Sequence, residues 1–290
     1  MTIEATHLGK QSSYPQHYDP SVLVAVPRIL NREQYGIANE ALPFCGVDVW
    51  QAYEFSFLLK NGFPVTGILK IVYPCTNEFL VESKSLKLYF NSFNMDQYGS
   101  TVEEGIKETV SIIQTDLQKL LKCEVEVHFF EYNQPLQSSD FDEFEILEDI
   151  LVVDQVKCEL YIETPGLLEV GSEPGELKWG THLLRSNCKI TFQPDWGSLY
   201  ISMKGEKLPT PESFLKYIVS LRNENHFHEE ICEMVFKRMV DKYEPENLMV
   251  TCMYTRRGGI DINPVRCLDS IDYPNNLVDP NLKVIPAFRQ

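Results

Sequence analysis

Cys188 and Asp195 stand seven positions apart, joined through Gln193-Pro194. With the cysteine at a strand end and the aspartate in the following turn, the two side chains come within reach of each other. A thiolate attacks an electrophilic carbon, and a carboxylic acid held protonated beside it donates to the atom that gains negative charge. A carboxylate would not activate the thiol, because a like charge raises a thiol's pKa. The pair therefore suits a neutral acid next to a thiolate. On chemistry alone, an inert buried strand cysteine and a Pro-Asp-x-Gly corner are the commoner occupants of such positions.

Three further runs carry chemical potential. Thr255-Arg256-Arg257-Gly258-Gly259 joins arginines, which clamp phosphate bidentately, to glycines that let backbone approach a ligand. The ordinary alternative is a strand ending in a glycine turn with solvated arginines. Lys84 sits within Glu82-Ser83-Lys84-Ser85, where a solvent-facing helix lysine is the usual finding. His226-Phe227-His228-Glu229-Glu230 reads three ways: a metal site, a helix start with acids opposing the dipole, or a histidine and carboxylate offered to a polar ring. Two histidines two apart point in different directions and no third ligand stands out, so no metal is expected. There is no Gly-x-Gly-x-x-Gly and no Walker-type loop, so a standard nucleotide fold is not signalled.

These residues must be carried by periodic elements. Val47–Leu59, Gly67–Val72 and Glu124–Phe129 carry strand patterns, as do Cys188–Phe192, Ser198–Met203 and Leu248–Tyr254, the last ending the series. Pro194-Asp195-Trp196-Gly197 reads as the turn between two of these strands. Ile106, Val110, Ile113, Leu117, Leu120 and Leu121 recur at helical spacing, with Glu103 and Glu104 in the first turn and Lys119 and Lys122 in the last. A second helix is expected from about His228. The order repeats, with Glu82-Ser83 and Glu212-Ser213 at matching points. The chain thus reads as two similar α+β units joined near 150–170, residues 1–155 and 156–290.

Composition narrows the function classes. A net charge of −16 with scattered basic residues argues against a nucleic-acid footprint, while Arg256-Arg257 suffices for one small phosphorylated ligand. No apolar run approaches the ~20 residues of a membrane helix. The start, Met1 to Pro20, is polar and lacks an export signal, so a soluble cytoplasmic protein is expected. The eight cysteines are spread singly without C-x-x-C spacing, which reads as reduced thiols, most of them buried.

Taken together, the runs resemble a known family. Glu82-Ser83-Lys84-Ser85-Leu86-Lys87-Leu88-Tyr89-Phe90-Asn91-Ser92-Phe93-Asn94 resembles the signature of the NADPH-dependent 7-cyano-7-deazaguanine reductases, the nitrile reductases of queuosine biosynthesis. Ser186-Asn187-Cys188 with Gln193-Pro194-Asp195-Trp196-Gly197-Ser198 resembles that family's catalytic segment. Phe227-His228-Glu229 and the run Tyr254 to Pro264 are similar to two further blocks, in the order of its long form. Lys189 and Phe192 fall at positions that vary.

The resemblance implies two tandem tunnelling-fold domains, each an antiparallel sheet with helices packed on one face, in a homodimer. It implies reduction of a nitrile to a primary amine with two NADPH, through a thioimide on Cys188 with Asp195 as proton donor. Val81, Glu82, Ser83, Phe227, His228 and Glu229 would hold the deazaguanine base, Glu229 or Glu82 accepting its N–H groups. Ser83, Lys84, Arg257 and Gly258 would contact NADPH. The substrate would be a free base, with no direct nucleic-acid partner. Two alternatives stay open. A pterin-type cyclohydrolase or synthase of the same fold would need a metal site that the scattered Cys and His do not supply. A non-catalytic base-binding module would leave Cys188 inert.

Overall fold

The computed structural model describes residues 15–290, so the greater part of the polar start, residues 1–14, lies outside the described residues. Alternating apolar residues build the first hairpin, β1 (Cys45–Leu58) and β2 (Pro64–Pro74), closed by a turn in which Gly62 has φ of +83°. The hairpin is followed by α1 (Ser83–Asn91), α2 (Val102–Leu121) and β3 (Glu126–Phe130). The periodic residues Ile113, Leu117 and Leu121 put one face of α2 into the core; Thr101 caps its start and Lys122 ends it in the left-handed conformation. The second series runs β4 (Gly175–Cys188), β5 (Pro194–Gly205), α3 (Pro211–Ser220), α4 (His228–Tyr243), β6 (Asn247–Tyr254) and β7 (Ile260–Cys267).

All seven strands lie in one sheet, in the order β3-β2-β1-β7-β6-β5-β4, every neighbouring pair antiparallel. Two short strands, Glu145–Ile146 and Asn225–His226, pair with β4 in parallel. The fold is therefore a mixed α+β architecture. Trp50, Ile260 and Ile262 face α1 and α2, while Val250, Cys252 and Tyr254 face α4, so one face of the sheet carries both helix pairs. The other face is covered by Phe141, stacked on Tyr200 at 4.2 Å, together with Leu277 and Val284. Among the described residues no helix is long and apolar enough to cross a membrane.

Three local expectations are corrected. The strand expected over Cys188–Phe192 ends at Cys188, and the chain turns over 189–193. There Phe192 takes φ of +56°, and the Cys188 N–H donates to the Gln193 carbonyl at 2.8 Å. The expected turn at Pro194–Gly197 is instead the start of β5, where proline, lacking an N–H, is tolerated as the first strand residue. Nor does the series end at Tyr254. β7 follows and pairs along its whole length with β1, from Ile260 opposite Ala52 to Cys267 opposite Cys45, and this seam makes the two halves one sheet.

Beneath the seam lies a closed set of buried charges. Arg266 of β7 donates to Asp48 of β1 at 2.9 Å and to Glu233 of α4 at 2.8 Å; Arg32 donates to Glu233 at 2.7 Å, and Arg28 pairs with Asp48. Burial alone would push both carboxyls up, but Arg266 with Arg28 holds Asp48 below its ordinary range, and Arg266 with Arg32 does the same for Glu233. Removing one member strands its buried partners. Glu233→Gln is therefore expected to cost ~3–5 kcal/mol, read as a lowered midpoint in urea unfolding. An unchanged midpoint would show the network to be dispensable.

Candidate active site

The segments singled out by sequence converge where β4, β5, α1 and α4 meet the end of β6. Cys188 closes β4, and its thiol side lies on the helix-bearing face. Asp195 is the second residue of β5 and pairs in register with Ser186, so Cys188, two positions on, shares its face. His226 pairs with Cys188 through the short parallel strand, and this brings Phe227, His228 and Glu229 to the cavity. The cavity, about 60 Å³, is walled by Val81, Ser83, Cys188, Asp195, Phe227, His228 and Glu229, all of them expected, and by Trp50, Leu80, Ile260 and Ile262. Three buried polar atoms on these walls have no protein partner: Trp50 Nε1, His228 Nδ1 and Glu229 Oε1. Apolar plates with unpartnered donors and acceptors suit a flat polar heterocycle.

Glu82 does not join this wall. Its carboxylate caps α1, accepting from the Lys84 N–H at 3.1 Å and the Ser85 N–H at 2.6 Å. Glu229 is the carboxyl left free for a ligand, and burial, then Asp48, pushes it up to about 8. His228 stacks on Tyr254, with ring centroids 3.8 Å apart, and places Nε2 3.3 Å from Asp195. Arg257 also pairs with Asp195 and donates to Gln193 at 2.6 Å. Burial pushes the Asp195 carboxyl up, but His228 and Arg257 outweigh it and hold the group below its ordinary range. In this ligand-free structure those two neighbours, both far off in sequence, favour the carboxylate form over the neutral acid expected from the sequence.

Beside the cavity runs an open groove of about 710 Å³, sharing Lys87, Arg257 and Ile260 with it. Lys84, Arg257 and Gly258, three of the residues expected to contact NADPH, line this groove, whereas the fourth, Ser83, faces the cavity. Lys87 was missed. It follows Lys84 by three residues in α1, a spacing that places both on one helix face and could have revealed it. Burial, with Arg257 second, lowers Lys87 to about 8. Gly258 and Gly259, with φ of +58° and +74°, carry the backbone past Lys87 and Glu54; an added Cβ would sit tight against Lys87 at 258 and collide with Glu54 at 259. Cations beside a glycine loop fit the phosphates of a dinucleotide.

The other cysteines lie off this cavity wall. Burial pushes Cys75 up to about 11 and raises Cys232 and Cys267 as well, which makes them poor nucleophiles. Among the described residues no three His, Cys, Asp or Glu side chains are grouped to hold a metal. His226 is instead tied to Glu230 at 2.9 Å and Glu224 at 3.1 Å.

Two family models match this chain: "Nitrile reductase, 7-cyano-7-deazaguanine-reductase N-term" over residues 14–129 and "QueF-like protein" over residues 194–272. The NADPH-dependent 7-cyano-7-deazaguanine reductase of Chromohalobacter salexigens is 39% identical over 265 residues, covering 91% of this chain and 92% of that one. The chain belongs to this reductase family. The protein of the same name from Rickettsia bellii is 40% identical over 271 residues, 93% of this chain and 95% of its own. That from Legionella pneumophila is 38% identical over 263 residues, 90% and 89% of the two chains. Both family models reach the cavity, the first through Val81, Ser83 and Lys87 and the second through Asp195, His228, Glu229 and Arg257.

The buried Glu229 gives this family member a pH signature. Its folded pKa of about 8 exceeds the 4.5 of a free glutamate, so the unfolded chain loses its proton first. The resulting penalty is absent below about pH 4.5 and grows as pH rises towards 8. Glu229→Gln is expected to stabilise the ligand-free protein at pH 8 by roughly 1–3 kcal/mol relative to its effect at pH 4.5. Thermal unfolding at the two pH values checks this; an effect that does not change with pH would contradict it.

Proposed function

We propose that this family member reduces the nitrile of 7-cyano-7-deazaguanine to 7-aminomethyl-7-deazaguanine through a covalent thioimide on Cys188, using two NADPH. The observation that carries the reading is the single cavity in which a cysteine, a carboxylate, a histidine and a buried glutamate meet beside a cationic groove. Trp50, Leu80, Phe227 and Ile262 would sandwich the base. Glu229 would take its N–H groups, whose donation favours the charged carboxylate and offsets the cost of its burial. Lys84, Lys87, Arg257 and Gly258 would hold the phosphates of NADPH, which supplies one hydride per molecule when bound.

The neighbours that hold Asp195 below its ordinary range bear on the order of proton movements. As the Cys188 sulfur bonds to the nitrile carbon, one carbon–nitrogen π bond breaks. The thiol proton passes to Asp195, and from it to the nitrogen that gains the electron pair. Asp195 remains the donor to nitrogen, but it acquires its proton within the reaction. Removing Arg257's positive charge from Asp195 would favour that uptake; His228, 3.3 Å away, holds the carboxylate in place. After the first hydride adds to carbon, the sulfur leaves as thiolate and the imine remains enclosed for the second. In the same reading the two halves are tandem tunnelling-fold domains, 1–155 and 156–290, and the protein is a homodimer working on a free base in the cytoplasm.

Mixing the protein with the nitrile alone is expected to add the mass of one substrate per chain, and Cys188→Ala to abolish that adduct. An adduct surviving in Cys188→Ala, or none in the native protein, would sink the covalent route. Asp195→Asn is expected to keep base binding while turnover falls ~10²-fold or more. NADPH oxidation at the native rate by that variant would remove Asp195 from the reaction.

A further inference from the structure

The wall of the cationic groove carries one acidic side chain, Glu54. Its position follows from an irregularity in β1. Ala52 pairs with Leu69 but Phe55 pairs with Gly67, so Tyr53 and Glu54 together oppose Ile68 in a β-bulge. The bulged Tyr53 N–H leaves the hairpin and donates to the Gly259 carbonyl at 2.8 Å, tying β1 to the glycine loop. Glu54 is thereby laid across that loop. A Cβ added at Gly259 would lie 2.4 Å from the Glu54 carboxyl carbon, so residue 259 must be glycine for Glu54 to reach over it. None of the groove's cations neutralises Glu54 by an ion pair, and Arg257 is committed to Asp195, Thr191 and Gln193.

A free carboxylate in a groove built for phosphate must meet some other part of the ligand, since a phosphate placed on it would be repelled. Its two oxygens match the paired O–H donors of a vicinal ribose diol, the pairing by which acidic residues hold dinucleotide ribose elsewhere. NADPH has one such diol. Its adenine-side ribose carries a phosphate on the 2′ oxygen, leaving the nicotinamide-side ribose as the ring with both hydroxyls free. We propose that Glu54 reads the nicotinamide-side ribose of NADPH, accepting from its 2′- and 3′-hydroxyls, and so sets which end of the dinucleotide faces the Cys188 cavity. This rests on the function proposed above. It agrees with the layout in which Ile260, beside Gly259, is shared by groove and cavity, so that the ring next to this ribose is delivered to the reacting carbon.

The test is NADPH affinity, measured by fluorescence titration of the full chain without nitrile. Glu54→Ala is expected to bind NADPH ~10-fold or more weakly, the effect of losing charge-assisted hydrogen bonds. An NADPH analogue lacking the nicotinamide-ribose 2′-hydroxyl should bind the native protein ~10-fold more weakly and Glu54→Ala no more weakly than NADPH itself. Glu54→Gln keeps the shape and should lose part of the same affinity, which covers a folding defect in the alanine variant. Native-like NADPH affinity in both variants, or full discrimination of the analogue by them, would overturn the proposal. Formation of the nitrile adduct is read separately: Glu54→Ala should form it as the native protein does. Absence of the adduct from the native protein would overturn the nitrile reading and leave the affinity result to judge Glu54.

Discussion

Arg266 cannot be buried alone. A guanidinium with no exposed surface needs carboxylates on both flanks, and here they come from β1 through Asp48 and from α4 through Glu233. That requirement fixes β7 against β1 and α4 against the seam. The same strand and helix carry the walls of the cavity: Trp50 lies two residues after Asp48, and Glu229 one helical turn before Glu233. Glu229 and Glu233 share a helix face, are both buried, and have opposite fates. Arginines hold Glu233 below its ordinary range, while Glu229, buried, with Asp48 nearby and no cation in contact among the described residues, is driven towards the neutral form. The network therefore stabilises the seam and also leaves one carboxyl in need of a ligand's donors.

A second set of charges surrounds Asp195. Arg257 lines both the cavity and the groove, and it reaches Asp195 because the loop bearing it is pinned at three points. Thr255 donates to the Trp196 carbonyl at 2.8 Å, Arg257 to Ile260 at 2.9 Å, and Tyr53 to Gly259 at 2.8 Å. Two of those three bonds close on strands from different halves of the chain. Asp195 and the cationic groove are thus positioned by one short loop, whose left-handed glycines permit the approach.

The long periodic elements were legible in the sequence because their apolar spacing is also their burial pattern, as Ile113, Leu117 and Leu121 show in α2. The strand over Cys188–Phe192 was misread because Cys188, Ile190 and Phe192 alternate like strand residues; the left-handed Phe192 that breaks it leaves no mark in residue type. Cys188, Asp195, His228 and Glu229 could be named from their blocks, but the state of Asp195 could not. Its carboxyl is held below its ordinary range by His228 and by Arg257, the latter 62 residues away in the chain. The seam was equally hidden, since nothing local tells β7 to pair with β1. Glu82 was placed with the base on resemblance; in the ligand-free structure its carboxylate accepts from the N–H groups two and three residues ahead, a use the resemblance did not reveal.

The relation between Cys188 and Asp195 follows from register. Ser186 lies directly opposite Asp195, and Cys188, two residues further on, is its diagonal neighbour on the same face. Directly opposed side chains in an antiparallel pair touch, with Cβ atoms about 4.5–5.5 Å apart, whereas diagonal ones lie roughly 7–8 Å apart. A cysteine at position 186 would meet the carboxylate itself, and the like charges would suppress the thiolate. At position 188 the two groups are set apart while both line the cavity. The turn over 189–193 ends the strand immediately after Cys188 and so opens that gap to the cavity.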